Sequence, residues 1–255
     1  MKNKHSQLVL CFISMILCST TTWSQLVNVE RLRIKTDTTG WYGEIGLAGS
    51  FVRSEKNVTA AEANLLAEYK RKNDLLLLFS NYSFLFGDGQ QLIDEFMVHC
   101  RYNIKQNKYL RWEAFVQAQQ NEILNIKSRF LVGIGPRFKL FDNKKVRLYA
   151  ATLAMREVEK ENTDNQIVHA DYRSSSYLSF TIQPFENAEI ISTSYYQPLF
   201  KGIEDYRFLN QSSLVIGAGK HFKISINFYY LYDSKTAEGI VPINSKLTTG
   251  ISYKL

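Results

Sequence analysis

The sequence is poor in cysteine, proline and glycine, and it has no long apolar run. Three Cys, 4 Pro and 13 Gly stand among 255 residues, against 16 Phe and 15 Tyr. So few Pro and Gly exclude collagen-like and low-complexity chains, and the spread of aromatics excludes disorder. Two of the cysteines, Cys11 and Cys18, lie in a segment that reads as a removable leader. Cys100 is then alone, which excludes an internal disulfide and leaves packing and backbone pairing to hold the fold. Past the leader the longest apolar run is Leu75 to Phe79. A membrane helix needs about 20 residues, so helical membrane proteins are excluded. A transmembrane β-barrel is not, because its strands alternate and carry a weak hydropathy signal.

The leader is residues 1–24. Lys2 and Lys4 supply positive charge, Leu8 to Cys18 is apolar but too short to span, and Thr22-Trp23-Ser24 offers small residues before Gln25. That is the form of a secretory signal peptide cut near Ser24. Leu17 before Cys18 argues against a lipoprotein site. Residues 25–40 do not join the pattern that follows and read as a periplasmic lead-in. Residues 41–255 read as one domain.

From Trp41 onward the period is two. Phe96, Val98, Cys100, Tyr102 and Ile104 interleave with Glu95, Met97, His99, Arg101 and Asn103. Leu110, Trp112, Ala114, Val116 and Ala118 interleave with Arg111, Glu113, Phe115, Gln117 and Gln119. Phe130, Val132, Ile134, Phe138 and Leu140 oppose Arg129, Arg137 and Lys139. Stretches of about 9–11 residues with apolar side chains out and polar ones in suit tilted strands crossing a bilayer. Twelve strands are expected: 41–53, 59–69, 75–86, 93–104, 109–119, 129–140, 147–157, 171–183, 188–197, 206–218, 222–232 and 246–255. The second is rich in Ala, and the third is apolar on both faces. The even-numbered connections are tight. Most odd-numbered ones read as longer loops: Gln120 to Lys127, Val158 to Ala170, Pro198 to Asp205 and Asp233 to Ser245. Short periplasmic turns and longer outer loops are the habit of outer-membrane barrels.

The inward positions carry charge of both signs, which cannot face lipid cheaply. Glu95, Arg101, Arg111, Glu113, Arg129 and Arg137 are the candidate lumen-lining residues, with Glu44, Glu62, Glu68 and Glu157 on the same faces. Mixed signs on neighbouring strands favour a salt-bridged interior over a one-sign selectivity ladder. Trp41, Tyr42, Tyr69, Tyr82, Phe84, Phe86, Tyr109, Trp112, Tyr149, Tyr172, Tyr206 and Tyr253 lie mostly near strand ends, as aromatic girdles would. Thr248 to Leu255, with Gly250, Tyr253 and an apolar last residue, resembles the terminal strand by which barrels are handed to their assembly machinery. That strand must pair with the first, so that no edge is left open in lipid.

Catalytic and cofactor signals are thin. His169 and Asp171 with Ser174, Ser175 and Ser176 lack the spacing of a triad, and no G-x-S-x-G is present. Gly133-x-Gly135 lacks the third Gly and the helix of a dinucleotide site, so the glycines read as strand positions facing a crowded lumen. One Cys and three His past the leader have no paired metal spacing. No cofactor is expected. The net charge of +7 is not gathered into a stripe with interleaved aromatics, so nucleic acid is not an expected partner.

Residues 96–141 carry a family resemblance. The Arg111-Trp112-Glu113 strand and the Gly133-x-Gly135-x-Arg137 strand resemble the domain of unknown function 481 family, the salt-induced outer-membrane proteins. Ser54-Glu55-Lys56-Asn57 stands where many members have a Ser-Gly-Asn turn. The resemblance implies a bacterial outer-membrane barrel and an envelope role linked to salt stress. It implies no substrate and brings no catalytic residues. The expectation is therefore a closed antiparallel barrel of about twelve strands in the outer membrane of a Gram-negative bacterium. It would be non-enzymatic, in contact with outer-membrane lipid; the alternative is a small channel for ions or solutes.

Overall fold

The period-two segments form twelve antiparallel strands that close on themselves in a computed structural model, which describes residues 39–53, 57–87, 90–143 and 145–254. The expected signal peptide, residues 25–38 of the lead-in, the turn at 54–56 and Leu255 lie outside the described residues. Gly40, assigned to the lead-in, already opens the first strand. The strands are β1 Gly40–Arg53, β2 Asn57–Lys70, β3 Asp74–Gly87, β4 Gln90–Lys105, β5 Leu110–Asn121 and β6 Ile126–Asp142. They continue as β7 Val146–Glu161, β8 Val168–Phe185, β9 Ala188–Leu199, β10 Gly202–Ala218, β11 Phe222–Asp233 and β12 Ile243–Lys254. Each strand pairs with the next, and β12 pairs with β1 to close the barrel. A closed barrel leaves no ladder edge, the condition for strands in hydrocarbon.

Turns after even-numbered strands lie at one rim, and those after odd-numbered strands at the other. Asparagine shapes two even-rim turns. Asn107 Oδ1 accepts the N–H groups of Tyr109 (2.8 Å) and Leu110 (2.9 Å). Asn143 Oδ1 does the same for Lys145 (2.9 Å) and Val146 (2.7 Å). These side chains mimic a backbone turn and reverse the chain tightly. At the odd rim the expected long loops are shortened by strand, and residues 234–242 remain a loop. β7 runs on to Glu161 and β8 starts at Val168, while β9 and β10 are separated only by residues 200–201. Ion pairs inside the barrel lie along these odd-rim extensions, Arg173 with Asp205 and Arg207 with Asp233.

The two faces of the wall part as alternation demands. On β5 and β6, Trp112, Val116, Phe130, Val132 and Ile134 are exposed on the outer face, while Glu113, Phe115, Arg129, Leu131 and Arg137 are buried inside. The inward positions are not polar throughout. Leu66, Leu77, Phe79 and Met97 form an apolar cluster inside the barrel, with Tyr42 packed on it. A second interior cluster joins Phe115, Leu131, Leu153, Met155, Tyr177, Tyr195, Leu209, Tyr229 and Leu231. The apolar third strand thus supplies the lipid face with Leu76 and Leu78 and the interior with Leu75, Leu77 and Phe79. The girdle assignment also needs correction at two positions. Tyr42 packs inward, and Tyr149 lies inside under the Arg137 guanidinium, 3.9 Å from its ring centroid.

Candidate functional site

The interior is the candidate site; its charges include three groups, and a separate pair, Lys223 with Glu44, joins β11 to β1. Nearest the even rim, Glu113 on β5 is the hub. Arg101 Nη1 of β4 lies 3.0 Å from Glu113 Oε1, and Arg137 Nε of β6 lies 4.0 Å from Oε2. The hydroxyl of Tyr177 on β8 donates to both oxygens across the lumen, at 3.2 and 3.0 Å. Arg101 Nε also donates to His99 Nε2 (3.2 Å), which leaves His99 Nδ1 to donate to Gln117 Oε1 (2.8 Å). The His99 ring stacks on Phe115, centroids 5.4 Å apart. Arg111, one pair from the even rim, is half-buried beside Arg137 in the β5–β6 register.

Toward the odd rim lies a larger network. Glu157 on β7 meets three guanidiniums: Arg129 Nε at 3.1 Å, Arg173 Nε at 2.9 Å and Arg207 Nη1 at 2.5 Å. Arg129 Nε donates to Glu159 Oε2 at 2.5 Å, and Arg207 Nε donates to Asp233 Oδ2 at 2.7 Å. Arg173 Nη1 reaches Asp205 Oδ1 at 2.8 Å. Above this network a cavity of about 170 Å³ opens, lined by Glu161, His169, Asp171, Lys235 and Thr236 among others. Residues 234–242 fold over it, with Ile240 packed on the interior apolar cluster.

Glu95 belongs to a third group. It accepts from Ser83 Oγ (3.2 Å), near Asn81, Asn64 and the Lys246–Glu62 pair (3.1 Å). The six candidate residues are therefore not one site. Arg101, Glu113 and Arg137 come together; Arg129 sits in the odd-rim network; Glu95 and Arg111 stand apart from both.

Sequence reasoning missed Glu159, Arg173, Arg207, Asp233 and Tyr177. Glu159 and Asp233 were assigned to loops. Arg173 and Arg207 had a usable signal, inward parity within expected strands. The imagined hydrolase cluster is dispersed. His169 Nε2 pairs with Glu161 Oε1 (2.7 Å), Ser175 faces inward and accepts from Gln197 Nε2 (3.1 Å), and Ser174 and Ser176 face outward. Gly133 and Gly135 are inward positions, as expected for a crowded lumen. A Cβ on Gly135 would lie 2.1 Å from the Thr152 carbonyl oxygen. Among the described residues no group of three or more His, Cys, Asp or Glu is arranged to hold a metal ion.

These features define a transmembrane β-barrel of the kind found in bacterial outer membranes, with a wall that contacts lipid. The chain belongs to the DUF481 family, described as a protein of unknown function, whose model matches residues 45–255. No curated protein matches the sequence. Among solved structures, the NanC porin resembles it with a TM-score of 0.52 at 12% identity, over 84% of this chain and 100% of that one. A KdgM porin in complex with disordered oligogalacturonate gives 0.48 at 11%, over 84% and 99%. The translocator domain of autotransporter NalP from Neisseria meningitidis gives 0.48 at 8%, over 89% and 92%. At such identities the likeness is one of fold.

Proposed function

We propose that the protein is a non-enzymatic barrel of the bacterial outer membrane whose interior is packed shut. Its exposed working surface would be the odd-rim vestibule. The carrying observation is the burial of inward side chains on β3, β5, β6 and β10. Leu77, Phe79, Glu113 and Leu209 are 0% exposed and Arg137 is 1% exposed, where a water-filled lumen would wet them. The charges inside are paired with one another rather than presented to a passing solute. In this reading Glu95, Arg101, Arg111, Glu113, Arg129 and Arg137 are lumen residues with structural work. The odd rim faces outward and the even turns face the periplasm. An envelope role under salt stress fits a shut wall, since it adds protein to the membrane without a leak. Pairing of β12 with both β11 and β1 supports Thr248 to Leu255 as the segment the assembly machinery receives.

A second reading, a narrow channel for ions or small solutes, is favoured by the vestibule and by the porin-like fold. Ion pairs at its floor would have to exchange partners to open it. The two readings part in a planar bilayer. Purified, heat-modifiable protein gives no conductance steps if the barrel is shut. Reproducible steps whose ion selectivity changes in Arg137→Glu would make it a channel.

A further inference from the structure

The outer face breaks its own pattern on four adjacent strands. On β7 to β10 the outward positions at mid-height are Thr152, Ser174, Ser176, Ser192, Ser194, Asn210 and Ser212. Their parity is that of exposed Leu178, Phe180, Ile190, Tyr196 and Phe208, whereas inward neighbours Tyr177, Thr193, Tyr195 and Leu209 are buried. Thr152 is exposed, Ser192 is covered by its neighbours on the wall, and the other five of the seven are half-exposed. The register sets Thr152 beside Ser176 on β7–β8, and Ser194 beside Asn210 and Ser192 beside Ser212 on β9–β10. Between β8 and β9 the two groups are offset by two residues, Ser176 facing Tyr196 and Ser194 facing Leu178, so the two halves of the belt meet on the diagonal. Tyr172, Tyr196 and Phe208 lie on its odd-rim side. Leu178, Phe180, Ile190 and Leu214 lie on its even-rim side. The belt is therefore at hydrocarbon depth. Side-chain bonds knit it together, Thr152 to Ser176 at 2.9 Å, Ser192 to Ser212 at 2.8 Å and Asn210 Nδ2 to Ser194 at 2.9 Å. Arg156, also outward on β7, lies beside it with its guanidinium 4.6 Å from the Tyr172 ring centroid.

The rest of the wall at this depth is apolar. Ile224, Ile226 and Phe228 on β11, Leu247 and Ile251 on β12, Ile45 and Leu47 on β1, and Val116, Val132 and Ile134 on β5 and β6 are exposed outward. Among the described residues only single hydroxyls, such as Ser80 and Thr249, interrupt it. Seven hydroxyl and amide side chains plus a guanidinium on one side are poorly matched to acyl chains, which offer no hydrogen-bond partner. Protein at that face would offer one. Small residues let two backbones approach, and polar side chains bond across intramembrane contacts.

We propose that the belt on β7 to β10 is an interface, and that its partner is a second copy of this chain. Ser, Thr and Asn both donate and accept, so the same belt turned about a two-fold axis through β9 meets complementary groups on itself. The seven belt side chains are themselves uncharged, and the charge beside them, the Arg156 guanidinium, is stacked on the Tyr172 ring of its own wall, so the belt asks for no partner of one charge sign. This pairing stands whether the lumen is shut or open.

The test uses the full chain, folded and reconstituted in nanodiscs of phosphatidylethanolamine and phosphatidylglycerol. Mass is read by native mass spectrometry, and heat-modifiability checks folding. Two copies per particle are expected, falling to one in a folded Ser192→Leu/Asn210→Leu variant. In a Cys100→Ala background, Ser194→Cys should give an oxidative cross-link between copies, and Leu247→Cys on the opposite wall should not. Should Ser194→Cys fail to fold, Ser212→Cys on the next strand serves the same purpose. A single copy in the parent protein overturns the proposal. So does a dimer that survives the leucine variant, one that cross-links only through Leu247→Cys, or capture of a different polypeptide by Ser194→Cys in native membranes.

Discussion

Arg101 Nη1 stands 3.0 Å from Glu113 Oε1, with both side chains shut away from solvent. Tyr177, from β8 three strands further round the barrel, donates to the same carboxylate. One glutamate thus ties β4, β5, β6 and β8 across a space that backbone pairing cannot bridge.

Removing that carboxylate is the harshest single change the interior offers. Glu113→Ala leaves two guanidiniums buried without it, and breaking a buried pair from one side costs about 3–5 kcal/mol. Glu113→Gln keeps an acceptor for Tyr177 and should fall between the alanine variant and the parent. The midpoint temperature for loss of the heat-modifiable folded form should rank parent, Gln, Ala from highest to lowest.

Glu157 and Glu161 make an internal comparison on one strand. Glu157 is buried against three guanidiniums, whereas Glu161 pairs with His169, whose side chain is 46% exposed. Solvent screens the second pair, so Glu161→Gln should cost less than about 1 kcal/mol. Glu157→Gln should cost several times more, because it strands charges that water does not reach. Guanidinium titrations of the folded form, read by tryptophan fluorescence, would order the two; equal losses would mean that the odd-rim network is looser than its geometry.

The strand count was legible because alternation is a local property. Every expected strand has its counterpart, including the Ala-rich second and the apolar third. The upper strand ends were not legible. Segments such as Pro198 to Asp205 look like loop by composition, and they are held in the wall by lumen contacts such as Arg173 to Asp205. The apolar interior is legible in part, in the inward parity of Met97 and Phe115 and in Leu75 to Phe79, apolar on both faces; which of these side chains pack together depends on closure of the barrel. Contacts across the lumen, such as Tyr177 to Glu113, depend on barrel diameter, which no sequence spacing encodes. The polar belt is scattered in sequence over four strands, and only the register brings Thr152 beside Ser176 and Ser194 beside Asn210.

Among the described residues the barrel closes on its shortest ladder: β1 and β12 share four residue pairs, Glu44–Lys254 to Leu47–Ile251, whereas β1 and β2 are paired along their whole length from Gly40–Lys70 to Arg53–Asn57. Thermal opening should begin at that seam. A Cβ on Gly250 would lie 3.8 Å from Ala48 Cβ, the usual separation across a disulfide. Ala48→Cys/Gly250→Cys should therefore oxidise without distortion. The oxidised variant should keep its heat-modifiable form to a higher temperature than the same protein reduced, and no difference would show that the seam is not where unfolding starts.

Gly133 and Gly135 both face the lumen, yet they should respond differently to a methyl group. At Gly135 the new Cβ meets backbone, the Thr152 carbonyl oxygen at 2.1 Å and Leu153 Cα at 2.6 Å. Backbone cannot step aside without breaking the β6–β7 ladder, so Gly135→Ala should yield no heat-modifiable protein. At Gly133 the clash is with the Phe115 ring, 2.4 Å from Cε1. A side chain can yield, at a cost of about 1–3 kcal/mol for overpacking a tight site. Gly133→Ala should fold with lower stability, and Phe115→Leu should restore part of the loss by clearing the ring. That rescue is a coupling between neighbours and appears as non-additivity in the double-mutant cycle. No such rescue is expected for Gly135→Ala, because its clash is with the neighbouring strand itself.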